Sequence, residues 1–489
     1  MMLRVAVALL LPVVVNAAVI RGAVVEHVTG KPLARTNVAV APVAGTPGEA
    51  MSKRTDRLGG FEFQGLSAGW YVVTFTRTGF AAHEYGQKQW NSAGHPIYLD
   101  QPAATFLQVR MNRLGAIAGT VLDEEEIGMP DHEVAIYRDA RPPQFLTRVK
   151  TDDRGMYRAG SLMPGSYLVR TVGKHYDEGD YLPTFHRESR EVSDAQSVDV
   201  RLDEQTNNVN LKPHAGQLVT IEGAVLGGMG EPVITIVSDT GRIEQRGQFF
   251  RFDHMPPGRY EIYAQIESEG LVGYADLFAT NSLNRTQIRL LSYSVSFQFF
   301  GGRPKEIQIM GRRKDLAGTS PPVRFPVGAT SAPVTPGRWE FLALTPPDLF
   351  VSKVQSPRFN PNPRERADGW IEAYLPAYPT AIRYTLSDKP ASISGVVTTT
   401  GHEPVPGAPV FLEAWDPVDR RRSLDLRETR ADQQGRYTFG GIAPGEYRIL
   451  STFEYRAPDS ASMDAPNAKS IKVVEAQSLQ LDLDLFSLR

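Results

Sequence analysis

Short runs of alternating apolar and polar residues dominate the chain, and clusters of glycine and proline separate them. Four of these runs have the form Ile-x-Gly-x-Val, in which the isoleucine and valine point to one face of a strand. The central glycine predicts that a neighbouring strand comes close at that point. The four runs begin at Ile20, Ile117, Ile221 and Ile393.

A seventeen-residue phrase recurs after three of these runs and predicts a hairpin. It reads TDRLGGFEFQGLSAGWY at 55–71, TDDRGMYRAGSLMPGSY at 151–167 and ADQQGRYTFGGIAPGEY at 431–447. The aspartate can accept hydrogen bonds from its own downstream amides, and the glycine three residues later can supply positive φ. Alternating aromatic residues, a Pro-Gly or Ala-Gly turn and a tyrosine then predict two successive strands.

Two further segments resemble this phrase less closely. GQFFRFDHMPPGRY at 247–260 keeps the aromatic residues, the Pro-Gly and the tyrosine, and PGRWEF at 336–341 has Trp339 in the tyrosine position. We therefore predict an all-β protein, a tandem array of small antiparallel β-sandwich domains of transthyretin-like or immunoglobulin-like type, each with its own core. The five predicted modules, strung end to end on short linkers, are 18–112, 113–213, 214–291, 292–387 and 388–489.

The first seventeen residues have the pattern of a secretory signal peptide. Arg4 supplies a basic start, 5–15 is apolar, and small residues end the segment at Ala17. The apolar run is short for a membrane span, and no transmembrane segment is expected after cleavage. We expect an exported protein, in the periplasm, at the cell surface or outside the cell, although a buried first strand is an alternative interpretation of 5–15.

Composition narrows the possible chemistry. The chain has no cysteine, which excludes disulfides, thiolate metal sites and cysteine nucleophiles. Many exported bacterial proteins likewise contain none. A formal net charge of −2 gives no long-range attraction for nucleic acid, so no nucleic-acid partner is expected.

Motifs for catalysis or metal binding are absent from the sequence. There is no His-Glu-x-x-His, no Gly-x-Ser-x-Gly and no phosphate-binding glycine loop. The nine histidines are scattered, and one such as His254 is typical of a surface or turn position. The acidic groups at 123–126 and 152–153 offer too few oxygens for calcium, which takes about 6–8, and indicate solvated or capped turns. We therefore predict no catalytic residue, no cofactor and no metal site.

Three segments beside the modules are rich in aromatic and polar residues: 83–99, 175–189 and 372–381. Flat rings beside amide and carboxylate groups could stack on sugar rings and bind them. The alternative is that the rings cover sheet edges or hold neighbouring modules together. The candidate ligand-binding residues are Tyr85, Trp90, Tyr181, Phe185, Tyr374 and Tyr378.

The recurring motifs resemble the carboxypeptidase regulatory-like domain. The resemblance is carried by Ile-x-Gly-x-Val, Gly-x-Pro, Thr-Asp-x-x-Gly-x-Phe/Tyr and Leu-x-Pro-Gly-x-Tyr, and it is strong in modules one, two and five, partial in three and poor in four. It implies a transthyretin-like (prealbumin-like) sandwich, grouped with carbohydrate-binding-like folds. In that family such domains are accessories of carboxypeptidases and outer-membrane receptors, or form arrays on exported bacterial proteins.

Three functional hypotheses follow. The first is a non-enzymatic exported binding or structural protein whose partner is a polysaccharide or a cell-envelope protein. The second is an accessory subunit of a separately encoded hydrolase or outer-membrane uptake system. The third is an enzyme with an unrecognised carboxylate site.

Overall fold

A computed structural model describes residues 18–100, 104–140, 143–239, 241–355, 364–365, 369–376, 378–415, 426–458 and 462–488. The predicted signal peptide, 1–17, lies outside the described residues. Within these residues the regular structure is strands and four 3₁₀ turns, at Val192–Asp194, Glu267–Glu269, Pro304–Glu306 and Ser462–Asp464. Within the described part of the chain, no helix has the length and apolarity needed to cross a bilayer.

The first two modules contain the first seventeen strands. Module one has β1 (Ala18–Glu26), β2 (Asn37–Pro42), β3 (Met51–Arg54), β4 (Gly60–Leu66), β5 (Gly69–Thr76), β6 (His83–Glu84), β7 (Ile97–Leu99) and β8 (Ala104–Met111). Module two has β9 (Gly115–Thr120), β10 (Glu133–Arg138), β11 (Gln144–Lys150), β12 (Met156–Leu162), β13 (Gly165–Thr171), β14 (Lys174–Tyr176), β15 (Gly179–Leu182), β16 (Val198–Val200) and β17 (Gln205–Thr206).

Module three continues the same pattern after a short connecting strand. Its strands are β18 (His214–Ala215), β19 (Val219–Leu226), β20 (Val233–Ser238), β21 (Gly241–Arg246), β22 (Phe249–Met255), β23 (Gly258–Ile266), β24 (Leu271–Ala279) and β25 (Leu283–Arg289). Although the sequence boundary at 214 puts β18 in module three, β18 pairs with β15 of module two. The two modules therefore share a small sheet at their junction.

The last two modules complete the chain. Module four has β26 (Ser294–Phe300), β27 (Gln308–Asp315), β28 (Gly318–Thr319), β29 (Val323–Arg324), β30 (Ser331–Pro333), β31 (Gly337–Leu344), β32 (Phe350–Gln355), β33 (Arg364–Glu365), β34 (Trp370–Leu375) and β35 (Thr380–Ser387). Module five has β36 (Ala391–Thr398), β37 (Pro409–Ala414), β38 (Arg427–Arg430), β39 (Arg436–Ile442), β40 (Gly445–Ser451), β41 (Lys469–Val473), β42 (Ser478–Gln480) and β43 (Leu483–Asp484).

Modules one, two, three and five share one topology of two facing sheets. In one sheet the Ile-x-Gly-x-Val strand is central, with orders β4-β1-β8, β12-β9-β17, β22-β19-β25 and β39-β36-β42. The central strand runs antiparallel to the hairpin strand and parallel to the last strand of the module. The alternation of apolar and polar residues is the same in parallel and in antiparallel strands, so the sequence pattern did not predict this parallel pair.

The glycine of each central strand lets the last strand approach closely. A Cβ on Gly119 would lie 2.5 Å from the carbonyl carbon of Val209, and one on Gly395 would lie 2.5 Å from that of Leu481. Gly22 and Gly223 meet the backbone of Leu107 and Thr286 in the same way. The prediction that a neighbouring strand comes close at this glycine is thereby confirmed. The neighbouring atoms belong to the backbone, which cannot rotate away as a side chain could.

Both turns of the repeated hairpin form as the sequence predicts. Asp56 Oδ1 accepts the amides of Leu58 and Gly60 at 2.8 and 2.7 Å, and Gly59 adopts φ +75°. Asp152 and Asp432 make the equivalent pairs of hydrogen bonds. The aspartates thus cap turns through their own downstream amides.

A tyrosine at the start of the next strand ties the second turn back on itself. The Tyr71 hydroxyl donates to the carbonyl of residue 67, four residues earlier, at 3.0 Å, and Tyr447 does the same to residue 443 at 2.8 Å. Tyr167 and Tyr260 repeat the bond. In module four the indole Nε1 of Trp339 donates to the Thr335 carbonyl at 2.8 Å, so the tryptophan replaces the tyrosine in the same role.

Module four departs from the common strand pattern but keeps the parallel pair. Its central strand β26 runs parallel to β35 and antiparallel to β30. The second sheet has the order β28-β27-β31-β34-β33. Each of the five modules has an apolar core cluster of its own.

Candidate functional site

Aromatic segment 83–99 lies between the first and the last module. The amide of Ala93 donates to the carbonyl of Phe453 at 2.8 Å, and the amide of Arg456 donates to the carbonyl of Asn91 at 2.7 Å. The ring of His95 stacks on Phe453 with centroids 4.1 Å apart. Ala93 is 1% exposed and belongs to the apolar cluster of module five, so the two ends of the array share part of a core.

Charged groups surround this junction, with Glu84 of β6 at the centre. Glu84 is 8% exposed and accepts the amide of Gly94 at 2.8 Å. Arg430 and Arg456 of module five reach the same carboxylate at 3.2 and 3.3 Å. Beside it, burial and the positive charge of Arg456 lower the pKa of His83 to about 4, so this imidazole is neutral near pH 7.

The two candidate rings of segment 83–99 are half-buried. Tyr85 packs against the core of module one, and Trp90 lies in the loop that meets module five. Both positions fit the interpretation in which aromatic residues hold modules together. Their location at a junction between the chain ends was not predictable from their spacing.

The candidate rings of segment 175–189 also pack inside the protein. Tyr181 is half-buried and meets Tyr176 edge to face at 5.8 Å between centroids. Phe185 is 3% exposed and packs against Tyr137. Phe185 therefore has no open face on which a sugar ring could stack, and Tyr181 has little.

Tyr374 and Tyr378, by contrast, face solvent. Their exposures are 66% and 50%, and Tyr374 lies on β34 opposite Arg338. The near-identical phrases YLPTF and YLPAY thus end in different environments: Phe185 is buried in module two, and Tyr378, at the same position of the phrase, is exposed. Alternation along β34 decides the exposure of Tyr374, since both of its neighbours on the strand are buried.

Contacts between modules were missed at the sequence level because their residues are far apart in sequence. At the junction of modules three and four, Arg242 forms a bidentate ion pair with Asp315, with atoms as close as 2.7 Å. The guanidinium of Arg313 lies 3.2 Å from the ring centroid of Tyr263. At the junction of modules two and three, Arg170 pairs with Asp239.

The same junction brings together His175, Asp180 and His254. In the sequence these histidines are far apart and were predicted to be isolated. In the structure His175 belongs to β14 and His254 to β22. Two modules had to pack before the residues could meet, so no spacing rule could have found them.

Comparison with known proteins identifies two of the modules. Residues 19–99 and 392–485 match the family model described as the carboxypeptidase regulatory-like domain. No curated protein matches the chain. The matched ranges do not include module two, although it carries the same hairpin phrase.

Several solved structures are similar in part. The minor pilin GBS52 of Streptococcus agalactiae is 11% identical with a TM-score of 0.26, over 41% of this chain and 97% of the pilin. The shaft pilin SpaA of Lactobacillus rhamnosus GG is 10% identical with a TM-score of 0.25, over 42% and 98%. The Bacillus anthracis TIE protein is 8% identical with a TM-score of 0.17, over 92% and 69%.

At these identities and TM-scores, the solved structures carry no argument about the function of this chain. The family match has a firmer basis, because the matched ranges contain the close-approach glycines Gly22 and Gly395, the capped turns and the tyrosine bonds seen in the structure. The first and fifth modules therefore resemble the carboxypeptidase regulatory-like domain both in sequence and in these structural details.

Proposed function

We propose that the protein is a non-enzymatic exported scaffold, in which five sandwich modules are held in a fixed arrangement and carry binding surfaces on their outer faces. The observation that carries the proposal is the junction between modules one and five. Arg113 also pairs with Glu26 between modules one and two, and the Ser387 hydroxyl donates to Glu475 between modules four and five. With the junctions described above, the series of contacts closes on itself. A closed series limits how far modules can swing, and a fixed arrangement is what presentation of a surface requires.

The junction has the features of a lasting contact. It combines backbone hydrogen bonds, an alanine buried in the other module's core and a carboxylate with two arginine partners. Removing Glu84 would take one acceptor from the Arg430 and Arg456 guanidinium groups and one from the Gly94 amide, which for this partly exposed cluster costs about 1–3 kcal/mol.

Small-angle X-ray scattering on the full chain tests the proposal. We expect Glu84→Ala and Ala93→Asp each to increase the radius of gyration and to lower the temperature of the first unfolding transition. Arg251→Ala is the control, because it removes an exposed ion pair within module three. If both junction variants match the wild type in size and unfolding, the modules do not depend on closure and the proposal is wrong.

A polysaccharide surface around Tyr374 and Tyr378 is the binding role that we propose for this scaffold. Of the six candidate rings, these two are exposed to solvent. Arg338 and Glu372 lie beside Tyr374 and can offer hydrogen bonds. Exposed tyrosines next to charged donors and acceptors suit the stacking and hydrogen bonding of sugar rings. A cell-envelope protein is the alternative partner.

Pull-down on insoluble cellulose, chitin, xylan and starch tests this surface. We expect wild-type protein to be retained on at least one of them and Tyr374→Ala with Tyr378→Ala to lose that retention. Phe278→Ala is the matched control, because Phe278 is 69% exposed on module three. Retention that survives the tyrosine changes would refute the site. No retention, together with Tyr374-dependent capture of an envelope receptor or hydrolase, would favour an accessory subunit instead.

A further inference from the structure

Three metal-ligating side chains converge where modules two and three meet. His175 of β14 and Asp180 of β15 belong to module two, and His254 of β22 belongs to module three. One potential ligand atom from each lies within 4.8 Å of the other two. In the described part of the chain, this is the one such group that combines histidine and carboxylate from two modules.

The three side chains are already oriented toward one another. His175 Nδ1 lies 2.6 Å from Asp180 Oδ1, and the imidazoles of His175 and His254 stack with centroids 4.6 Å apart and planes 9° from parallel. The other carboxylate oxygen of Asp180 accepts the amide of Leu218 at 2.9 Å. That bond fixes the carboxylate in place, as hydrogen bonds to metal ligands commonly do.

The backbone at His254 has the same conformation as the corresponding bulge in modules one, two and five. The residue before the end of each hairpin strand lies in a bulge with positive φ: Gly65 at +78° in module one, Ser161 at +60° in module two and Gly441 at +64° in module five. Module three has His254 there, at +55°. Since glycine adopts this conformation freely, His254→Gly is expected to keep the local fold.

We propose that His175, Asp180 and His254 bind a divalent transition-metal ion such as Zn²⁺. Imidazole nitrogen and carboxylate oxygen are the ligands that such ions take, and the fourth position of a tetrahedral site would hold water. With metal–ligand distances of about 2.0–2.2 Å, bound ligand atoms stand roughly 3.3 Å apart. The side chains reach that spacing by small rotations, since all three are at least partly exposed.

The surroundings suit a charged ion. A cleft of about 430 Å³ opens beside His254 and gives access from solvent. The nearby cation Arg170 is already paired with Asp239.

The metal would cross-link two modules, because its ligands come from both. Binding would hold β22 against β14 and β15, and would stabilise this junction against local opening. The inference does not rest on the proposed scaffold function or on the polysaccharide surface, since it concerns a different junction. It can be tested on the purified full chain with the metal ion alone.

Isothermal titration of metal-free full-length protein with ZnCl₂ is the direct test, with CoCl₂ absorption as a report on nitrogen and oxygen ligation. We expect one ion per chain, and at least a tenfold loss of affinity in His254→Gly and Asp180→Asn. His254→Gly should fold at least as well as the wild type, because glycine relieves the positive φ. Zn²⁺ should raise the unfolding temperature of the wild type but not of His254→Gly.

His402→Gly is the matched control, because His402 is also a histidine at positive φ, +62°, and exposed. It should bind Zn²⁺ as the wild type does. Unchanged Zn²⁺ affinity in His254→Gly, or equal loss in His402→Gly, would overturn the proposal. So would the absence of any binding to the wild type.

Discussion

Gly395→Ala tests whether the glycine of the central strand is required by the packing of backbone on backbone. A Cβ at this position would lie 2.5 Å from the carbonyl carbon of Leu481, nearer still to its oxygen, and 3.1 Å from the amide nitrogen of Asp482. Ordinary contacts of a Cβ begin at about 3.4 Å, and the obstacle is a strand rather than a flexible side chain. The last strand must therefore move by about 1 Å or more.

The cost follows from what that movement breaks. Overpacking typically costs about 1–3 kcal/mol, and displacement also strains the hydrogen bond from the Leu481 amide to the Ser394 carbonyl, 2.8 Å long, worth about 1 kcal/mol. Leu483, which is 2% exposed, would be partly uncovered as well. We expect Gly395→Ala to destabilise module five by about 3–4 kcal/mol.

Hydrogen exchange measured by mass spectrometry is the suitable assay, because a five-module chain does not unfold in one two-state transition. Amides of β36 should exchange roughly 200–1000-fold faster in Gly395→Ala, since each 1.4 kcal/mol is a factor of ten. Gly440→Ala on β39 is the control, because nothing lies within 4 Å of its Cβ position. Exchange within threefold of the wild type in both variants would refute the packing argument.

Three further predictions concern local bonds and pH. Trp339→Phe removes the indole donor to the Thr335 carbonyl and should destabilise module four by about 1 kcal/mol. The expected measurement is faster amide exchange in β31. Unchanged exchange would show that the tryptophan does not replace the tyrosine in this hydrogen bond. Asp152→Ala should destabilise module two by about 1–2 kcal/mol in thermal unfolding because two amides lose their acceptor, whereas exposed Asp153→Ala should change little; equal effects would contradict the capped turn. Burial lowers the pKa of His132 from 6.5 to about 4, so the imidazole takes up a proton in the unfolded chain at a higher pH than in the folded chain. The free energy of unfolding should therefore drop by up to about 3 kcal/mol between pH 6.5 and 4. A His132→Gln variant with the same dependence of stability on pH would refute this.

Local elements were predictable because their signals are local. The turn at Asp56, the strand that carries Gly395 and the tyrosine that opens β40 are each specified by residues within about ten positions of one another. The hairpin of module four could be placed from the segment 336–341, which has Trp339 in the tyrosine position. Even the close approach at the central glycine follows from residue type, because a residue with a Cβ does not fit beside the backbone carbonyl of the neighbouring strand.

The candidate site was much less predictable. Among the six candidate aromatic residues, Phe185 is buried, whereas Tyr378, at the corresponding position of a nearly identical phrase, is exposed. Phe185 packs against Tyr137 and Leu168 of its own module, whereas Tyr378 faces solvent. The phrase itself carries no information about that.

The sequence by itself determined the repeating unit: a sandwich with a glycine-centred strand, capped turns and a tyrosine-tied hairpin, because each of these rests on hydrogen bonds and sterics among nearby residues. Only the tertiary structure decided that Glu84 meets Arg430 and Arg456 across the length of the chain, and that His175 and His254 stack against one another. Contacts between modules depend on how whole folded surfaces fit together, and that fit depends on many residues at once rather than on any spacing along the chain.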